Sequence, residues 1–221
     1  MTGTLTLTEE NYIKAIYRAE ANSGQVVSTK SISEIQQVNA ASVTDMFKKL
    51  SDQKLVVYEK SRGVKLTEKG KKSALKIIRK HRLWETFLVE KLKFAWDEVH
   101  DVAEQLEHIN SDLLIEKLDA LLNYPKFDPH GDPIPDANGR MPDSKSILLA
   151  DAKVGGQYKF FGVTNDSQSF LKYVNKVGIT MGDVLEVKEI EEFDRSVTIL
   201  LGDDRRITLS KDAAGSLMVR D

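Results

Sequence analysis

The chain has 221 residues, 41% hydrophobic and 30% charged, with a net charge of −2. That composition is globular rather than disordered, and no apolar run approaches the ~20 residues of a membrane span. Having no cysteine excludes disulfides, thiolate zinc sites and thiol catalysis. Met1 to Glu10 shows neither a basic n-region nor an apolar h-region, so no secretory signal and a cytoplasmic location are expected.

The small net charge hides an asymmetry. Residues 1–82 carry 16 Lys and Arg against 8 Asp and Glu, net +8, whereas residues 83–221 are net −10. A basic first third suggests a module for a polyanion.

In chain order, Thr8 to Ala21 shows helical spacing through Tyr12, Ile13, Ile16 and Tyr17, with Thr8 as a candidate N-cap. A short amphipathic stretch over 27–38 starts at Ser28-Thr29, and a turn follows at Val38-Asn39-Ala40. Ser42 to Leu50 resumes helical spacing, then 55–60 and 64–67 read as two strands around the turn Ser61-Arg62-Gly63. Helix, helix, turn, helix and hairpin is the order of a winged helix-turn-helix. Glu68 to about Asn123 reads as nearly continuous helix with one break near Phe94-Ala95-Trp96-Asp97, and its surplus apolar stripes suggest a dimer interface.

All five prolines fall between 125 and 142, marking a linker or an ordered irregular connection. Beyond Ser146 short alternating strands take over: 157–163, 184–187, 197–200 and 206–209, with a helical turn over 167–177. That is a small β-barrel of SH3-like size. The expected fold is therefore mainly α with a small β domain. A winged helix-turn-helix occupies 1–72, a helical domain whose apolar stripes suggest dimerisation 73–143, and an SH3-like domain 144–221.

In a helix-turn-helix the early residues of the second helix reach base edges. Here these are Asn39, Ala40, Ala41, Ser42, Thr44 and Asp45, short side chains suited to methyl contacts and modest hydrogen bonds. Lys48, Lys49, Lys60 and Arg62 are candidates for phosphate.

The four histidines, His81, His100, His108 and His130, all lie between 81 and 130. His81 and Glu85 are spaced i, i+4; His100, Glu104, Glu107 and His108 fall at i, i+4, i+7 and i+8. Imidazoles and carboxylates on neighbouring helices are how a bundle builds a metal site. Without sulfur, such a set suits Mn²⁺ or Fe²⁺, although affinity alone would rise towards Cu²⁺ and Zn²⁺, so other divalent transition metals are admitted in vitro. No HExxH zincin motif, Ser/His/Asp arrangement or phosphate loop occurs, which disfavours a metal-dependent hydrolase and an enzyme in general. A small-molecule-responsive winged-helix regulator is the other alternative.

The strings Arg79-Lys80-His81-Arg82-Leu83-Trp84-Glu85, Val99-His100-Asp101, Glu104-Gln105-Leu106-Glu107-His108 and Asp128-Pro129-His130-Gly131-Asp132-Pro133-Ile134-Pro135, in this order of elements, resemble the metal-dependent repressors of the diphtheria toxin repressor family. The resemblance implies a homodimer that binds a palindromic double-stranded operator when loaded with metal, silencing metal-uptake genes. It implies a primary site of Glu104, Glu107 and His108 with Asn11 from the first helix, His81 joining them in the manganese branch. Glu104 stands where the iron-responsive branch carries cysteine, which favours Mn²⁺ over Fe²⁺. Asn11 departs from the aspartate or methionine usual there. A second site is implied from Glu85 with His81 and His100, or with Asp128 and His130, and Asp166 matches an acidic ligand position in the SH3-like domain.

Overall fold

The computed structural model describes residues 5–202 and 204–221. These form two compact units: Met1–His81 with Leu106–Asn110 and Pro135–Arg140, and Arg82–Gln105 with Ser111–Ile134 and Met141–Asp221.

The first unit holds α1 (Leu7–Ser23), α2 (Thr29–Gln36), α3 (Ala40–Asp52) and the hairpin β1 (Val56–Glu59) and β2 (Gly63–Leu66). The N-cap of α1 is Thr6, not Thr8: the Thr6 hydroxyl accepts from Glu9 N, and the Glu9 carboxylate accepts from Thr6 N. This reciprocal pairing needs a Glu three residues after the cap, which Thr6 has and Thr8 does not. Ser28 and Asn39 cap α2 and α3 one way only, their side-chain oxygens accepting from Ser31 N and Ser42 N. Ile13, Ile16, Ile32, Val43, Phe47, Leu50 and Val64 fill one core, so α1 supports α3 from behind. Gly63, at φ 112°, lets the hairpin pair with Val27, since a Cβ there would lie 2.3 Å from the Val27 carbonyl oxygen.

The long helical region is α4 (Glu68–Glu90), α5 (His100–Leu106) and α6 (Asp112–Leu121). A second break follows α5, beyond the one expected near 94–97. Ser111 causes it by accepting from Leu114 N and starting a new helix.

In the second unit the sheet is β3 (Ile147–Leu148), β4 (Gln157–Val163), β5 (Val184–Ile190), β6 (Val197–Leu201), β7 (Arg205–Leu209) and β8 (Leu217–Arg220). All pairings are antiparallel, in the order β3-β8-β4-β5-β6-β7. α7 (Gln168–Val177) packs Leu171 and Val174 into the same core as Phe160, Leu185 and Ile199. The proline-rich segment is ordered without regular structure, pinned by the bridge Phe127↔Pro133. The short strands β3 and β8 and the helix α8 (Lys211–Ala214) were not expected from the sequence.

Candidate metal centre

In the first unit, α1 places Glu10, Asn11 and Lys14 on one face, and α4 brings Lys80 and His81 to them. Glu107, with no exposed surface, is at the centre. Its Oε2 lies 2.5 Å from His81 Nδ1, and its Oε1 accepts from Lys14 Nζ at 2.5 Å. Burial opposes its ionisation, but the His81 hydrogen bond and the Lys14 charge outweigh it and hold the carboxyl below its usual range. His108 turns Nδ1 to Glu10 Oε2 at 2.6 Å and keeps Nε2 3.8 Å from Glu107 Oε1. Lys80 Nζ lies 4.0 Å from Glu10 Oε1.

The Asn11 side-chain oxygen is buried and has no hydrogen-bond partner among the described residues. Such an orphan costs about 1–3 kcal/mol unless something satisfies it. Asn11 follows Glu10 on α1, and an amide oxygen taken with the carboxylates and imidazoles of this cluster, with no sulfur, fits a hard or borderline divalent cation. Glu104, half-buried on α5, precedes Glu107 by three residues and His108 by four.

A second cluster lies within the second unit. Glu85, Asp128 and His130 are all buried, and one ligand atom of each lies within 4.8 Å of the others. Burial pushes the Asp128 carboxyl well above its usual range, and the charges of Glu85 and Asp132 add to this against Arg82. His100 Nδ1 lies 3.5 Å from Glu85 Oε1. His130 Nε2 lies 2.8 Å from the Trp96 carbonyl oxygen, to which it donates, and this orients the ring with Nδ1 3.9 Å from Glu85 Oε2. Gly131 and Gly162 allow this loop to lie on β4: a Cβ on Gly162 would lie 2.3 Å from the His130 carbonyl oxygen.

Asp166 is exposed and joins neither cluster among the described residues. It lines a polar cleft of about 420 Å³ with Asp97, His100 and Asp101.

The nucleic-acid candidates are solvent-facing. Ala40, Ala41, Ser42, Asp45, Lys48, Lys49, Lys60 and Arg62 are exposed, and Thr44 is half-buried. Several have internal partners: the Asn39 side-chain oxygen caps α3 through Ser42 N at 2.9 Å, the Thr44 hydroxyl donates to the Ala40 carbonyl, Asp45 pairs with Lys48 at 3.0 Å, Lys49 with Glu9 at 3.2 Å and Arg62 with Glu59 at 3.4 Å. The reading from sequence missed Lys14, Glu10, Lys80 and the Trp96 carbonyl. Lys14 was visible in principle, as a charge inside the run Tyr12-Ile13-Lys14-Ala15-Ile16 that faces the core.

Residues 4–64 match the family "Iron dependent repressor, N-terminal DNA binding domain", 67–136 its "metal binding and dimerisation domain", and 147–221 the FeoA domain. The HTH-type transcriptional regulator MntR of Oceanobacillus iheyensis is 33% identical over 139 residues, which cover 63% of this chain and 87% of that one. This chain belongs to the diphtheria toxin repressor family. Iron-dependent repressor IdeR of Mycobacterium tuberculosis is 34% identical over 128 residues, covering 58% of this chain and 55% of IdeR. The chain spans about half, or less, of the length of the first curated relatives it matches. A manganese-dependent transcriptional repressor solved in complex with manganese superposes with a TM-score of 0.83 at 36% identity, covering 96% of this chain and 99% of that one. This agreement over nearly the whole chain supports the manganese-responsive branch within the family.

Proposed function

We propose that this chain is a metal-dependent transcriptional repressor that binds operator DNA as a homodimer when loaded with Mn²⁺, with Fe²⁺ as the alternative ion, and so controls metal-homeostasis genes. The observation that carries the reading is Glu107, fully buried, with His81 Nδ1 at 2.5 Å and His108 Nε2 at 3.8 Å; the orphan oxygen of Asn11 lies on α1, the helix that brings Glu10 and Lys14 to this cluster. Asn11, His81, Glu104, Glu107 and His108 would hold the regulatory ion, and Glu85, Asp128 and His130 a second one, with His100 beside Glu85. When bound, the ion supplies the positive charge that offsets these carboxylates. The relatives' own names, manganese-dependent repressor and iron-dependent repressor, support both ions, and a relative solved with Zn²⁺ supports others in vitro.

The switch follows from where the ligands sit. Asn11 belongs to α1, His81 to α4, and α1 shares its core with α3. Fixing α1 against α4 restricts how α3 is presented, and a state that DNA also favours is thereby populated. Moving a mostly inactive population to a mostly active one takes on the order of 5 kcal/mol of differential binding. The exposed start of α3 and the wing residues Lys60 and Arg62 would meet the operator, and a second copy would cover the exposed Leu113, Leu121 and Tyr124 around α6. No catalytic step is part of this proposal. Among the described residues no helix is long and apolar enough to cross a membrane.

A small-molecule effector has one observation in its favour, an apolar cavity of about 340 Å³ lined in part by Val89, Trp96, Phe127, Ile179 and Met181. A gel-shift titration of chelator-treated protein on its own upstream DNA, with Mn²⁺, Fe²⁺ (anaerobic), Zn²⁺ and Mg²⁺ in parallel, separates the two. Restoration of a specific shift by Mn²⁺ or Fe²⁺, lost in Glu104→Ala, supports the metal switch. An apoprotein that binds as tightly as the loaded one points to the small molecule.

A further inference from the structure

Lys14 is a cation inside the first cluster. It lies on the buried face of α1 among Tyr12, Ile13, Ala15 and Ile16, is itself only 5% exposed, and donates to Glu107 Oε1 at 2.5 Å. The other oxygen of Glu107 faces His81 Nδ1, so both ligand atoms of this carboxylate are engaged before any ion arrives. We propose that Lys14 is a built-in competitor for the metal: its ammonium supplies at Glu107 Oε1 the positive charge that a divalent ion would supply, and so sets the metal concentration at which the site fills. This rests on the reading of Glu107 as a metal ligand.

The physical basis is direct. A carboxylate oxygen that ligates an ion must release or share its ammonium donor. An ammonium and a divalent ion near one oxygen repel each other strongly where water is excluded. If the competent form, with Lys14 withdrawn, is populated about a tenth of the time, apparent affinity falls about tenfold. The affinity of a purely carboxylate and imidazole site would otherwise be set by its ligand set alone. A tethered ammonium raises the filling threshold while keeping the empty site folded, because Glu107 is never buried without a counter-charge.

Glu10 plays a contrasting part. Its contact with His108 Nδ1 at 2.6 Å leaves His108 Nε2 on the Glu107 side, 3.8 Å from Oε1. That contact orients a candidate ligand atom instead of occupying one.

The test is calorimetric titration of Mn²⁺ into the full chain in a His130→Ala background, which removes the second cluster. Wild-type Lys14 is compared with Lys14→Met, Lys14→Gln and Lys14→Arg, each also melted without metal. The neutral variants should bind Mn²⁺ at least about tenfold more tightly and melt lower without metal, whereas Lys14→Arg, keeping the charge, should stay near the wild-type affinity. Equal or weaker binding by both neutral variants overturns the competitor role and leaves the metal site standing. Absence of Mn²⁺ binding in every protein, Lys14 included, overturns the metal site and the competitor role together. If the neutral variants are unfolded without metal, Mn²⁺ should restore a cooperative melt, and failure to do so counts against the proposal.

Discussion

His81 Nδ1 and Glu107 Oε2 lie 2.5 Å apart, both side chains buried, and join α4 to the segment that follows α5. Glu107 is held below the usual carboxylate range although burial alone would raise it, because His81 and Lys14 favour its charged form. A depressed carboxyl contributes stability that is present above its unfolded value and is lost as the pH falls through its folded value. Glu107→Gln should therefore destabilise the metal-free protein at neutral pH by roughly 3–5 kcal/mol, the cost of leaving a buried partner charge unpaired. In chemical denaturation the gap between wild type and variant should narrow as the pH is lowered below the carboxylate range. A gap that does not change with pH would contradict the role given to the pair.

Asp128 shows the opposite behaviour. Burial and the neighbouring charges of Glu85 and Asp132 raise its pKa, so over the interval between its unfolded and folded values it holds a proton when folded. Metal binding at Glu85, Asp128 and His130 must expel that proton, so affinity there rises with pH. In calorimetry with Glu107→Ala, which leaves this cluster to titrate, the apparent enthalpy should depend on the buffer's ionisation heat. Asp128→Asn should weaken binding and reduce that dependence.

Around α6, Ile115, Leu118 and Leu122 are buried, while Leu113 and Leu121 are 64% and 55% exposed and Tyr124 is 68% exposed. If a second copy covers them, Leu121→Glu should give a monomer in sedimentation at micromolar concentration and weaken operator binding at least tenfold, with its metal affinity near wild type. A dimer that persists in this variant places the interface elsewhere.

Lys48 and Arg62 are exposed on α3 and at the wing. As phosphate contacts, each replaced by Ala should weaken operator and non-specific DNA alike and lower the slope of log K against log salt by about 1 per contact in each protomer. Ser42→Ala should instead change discrimination between operator and mismatched sites, leaving the salt slope in place.

Much of this was legible in the sequence because its signals are local. The 3.6-residue spacing through Val43, Phe47 and Leu50 marked α3, and alternation placed β4 at 157–163 as observed. The spacing of His81 with Glu85 marked α4, which carries one residue of each cluster, whereas Glu107 and His108, expected to continue a helix face, lie in the turn after α5. What escaped depends on partners distant in sequence. Lys14 meets Glu107 across 93 positions and His130 meets the Trp96 carbonyl across 34, and no local period encodes either. The break before α6 was missed because the Ser111 cap lies within an otherwise helical apolar pattern. The short strands β3 and β8 owe their pairing to each other and to β4, not to a marked alternation of their own.

The most direct measurement is the affinity of the chain for Mn²⁺ with and without saturating operator DNA, set beside its affinity for operator with and without Mn²⁺. If metal and DNA select the same state, operator must tighten Mn²⁺ binding by the same factor by which Mn²⁺ tightens operator binding. The account predicts equal factors well above one, both falling to about one in Glu107→Ala. Unchanged Mn²⁺ affinity in the presence of operator would contradict it.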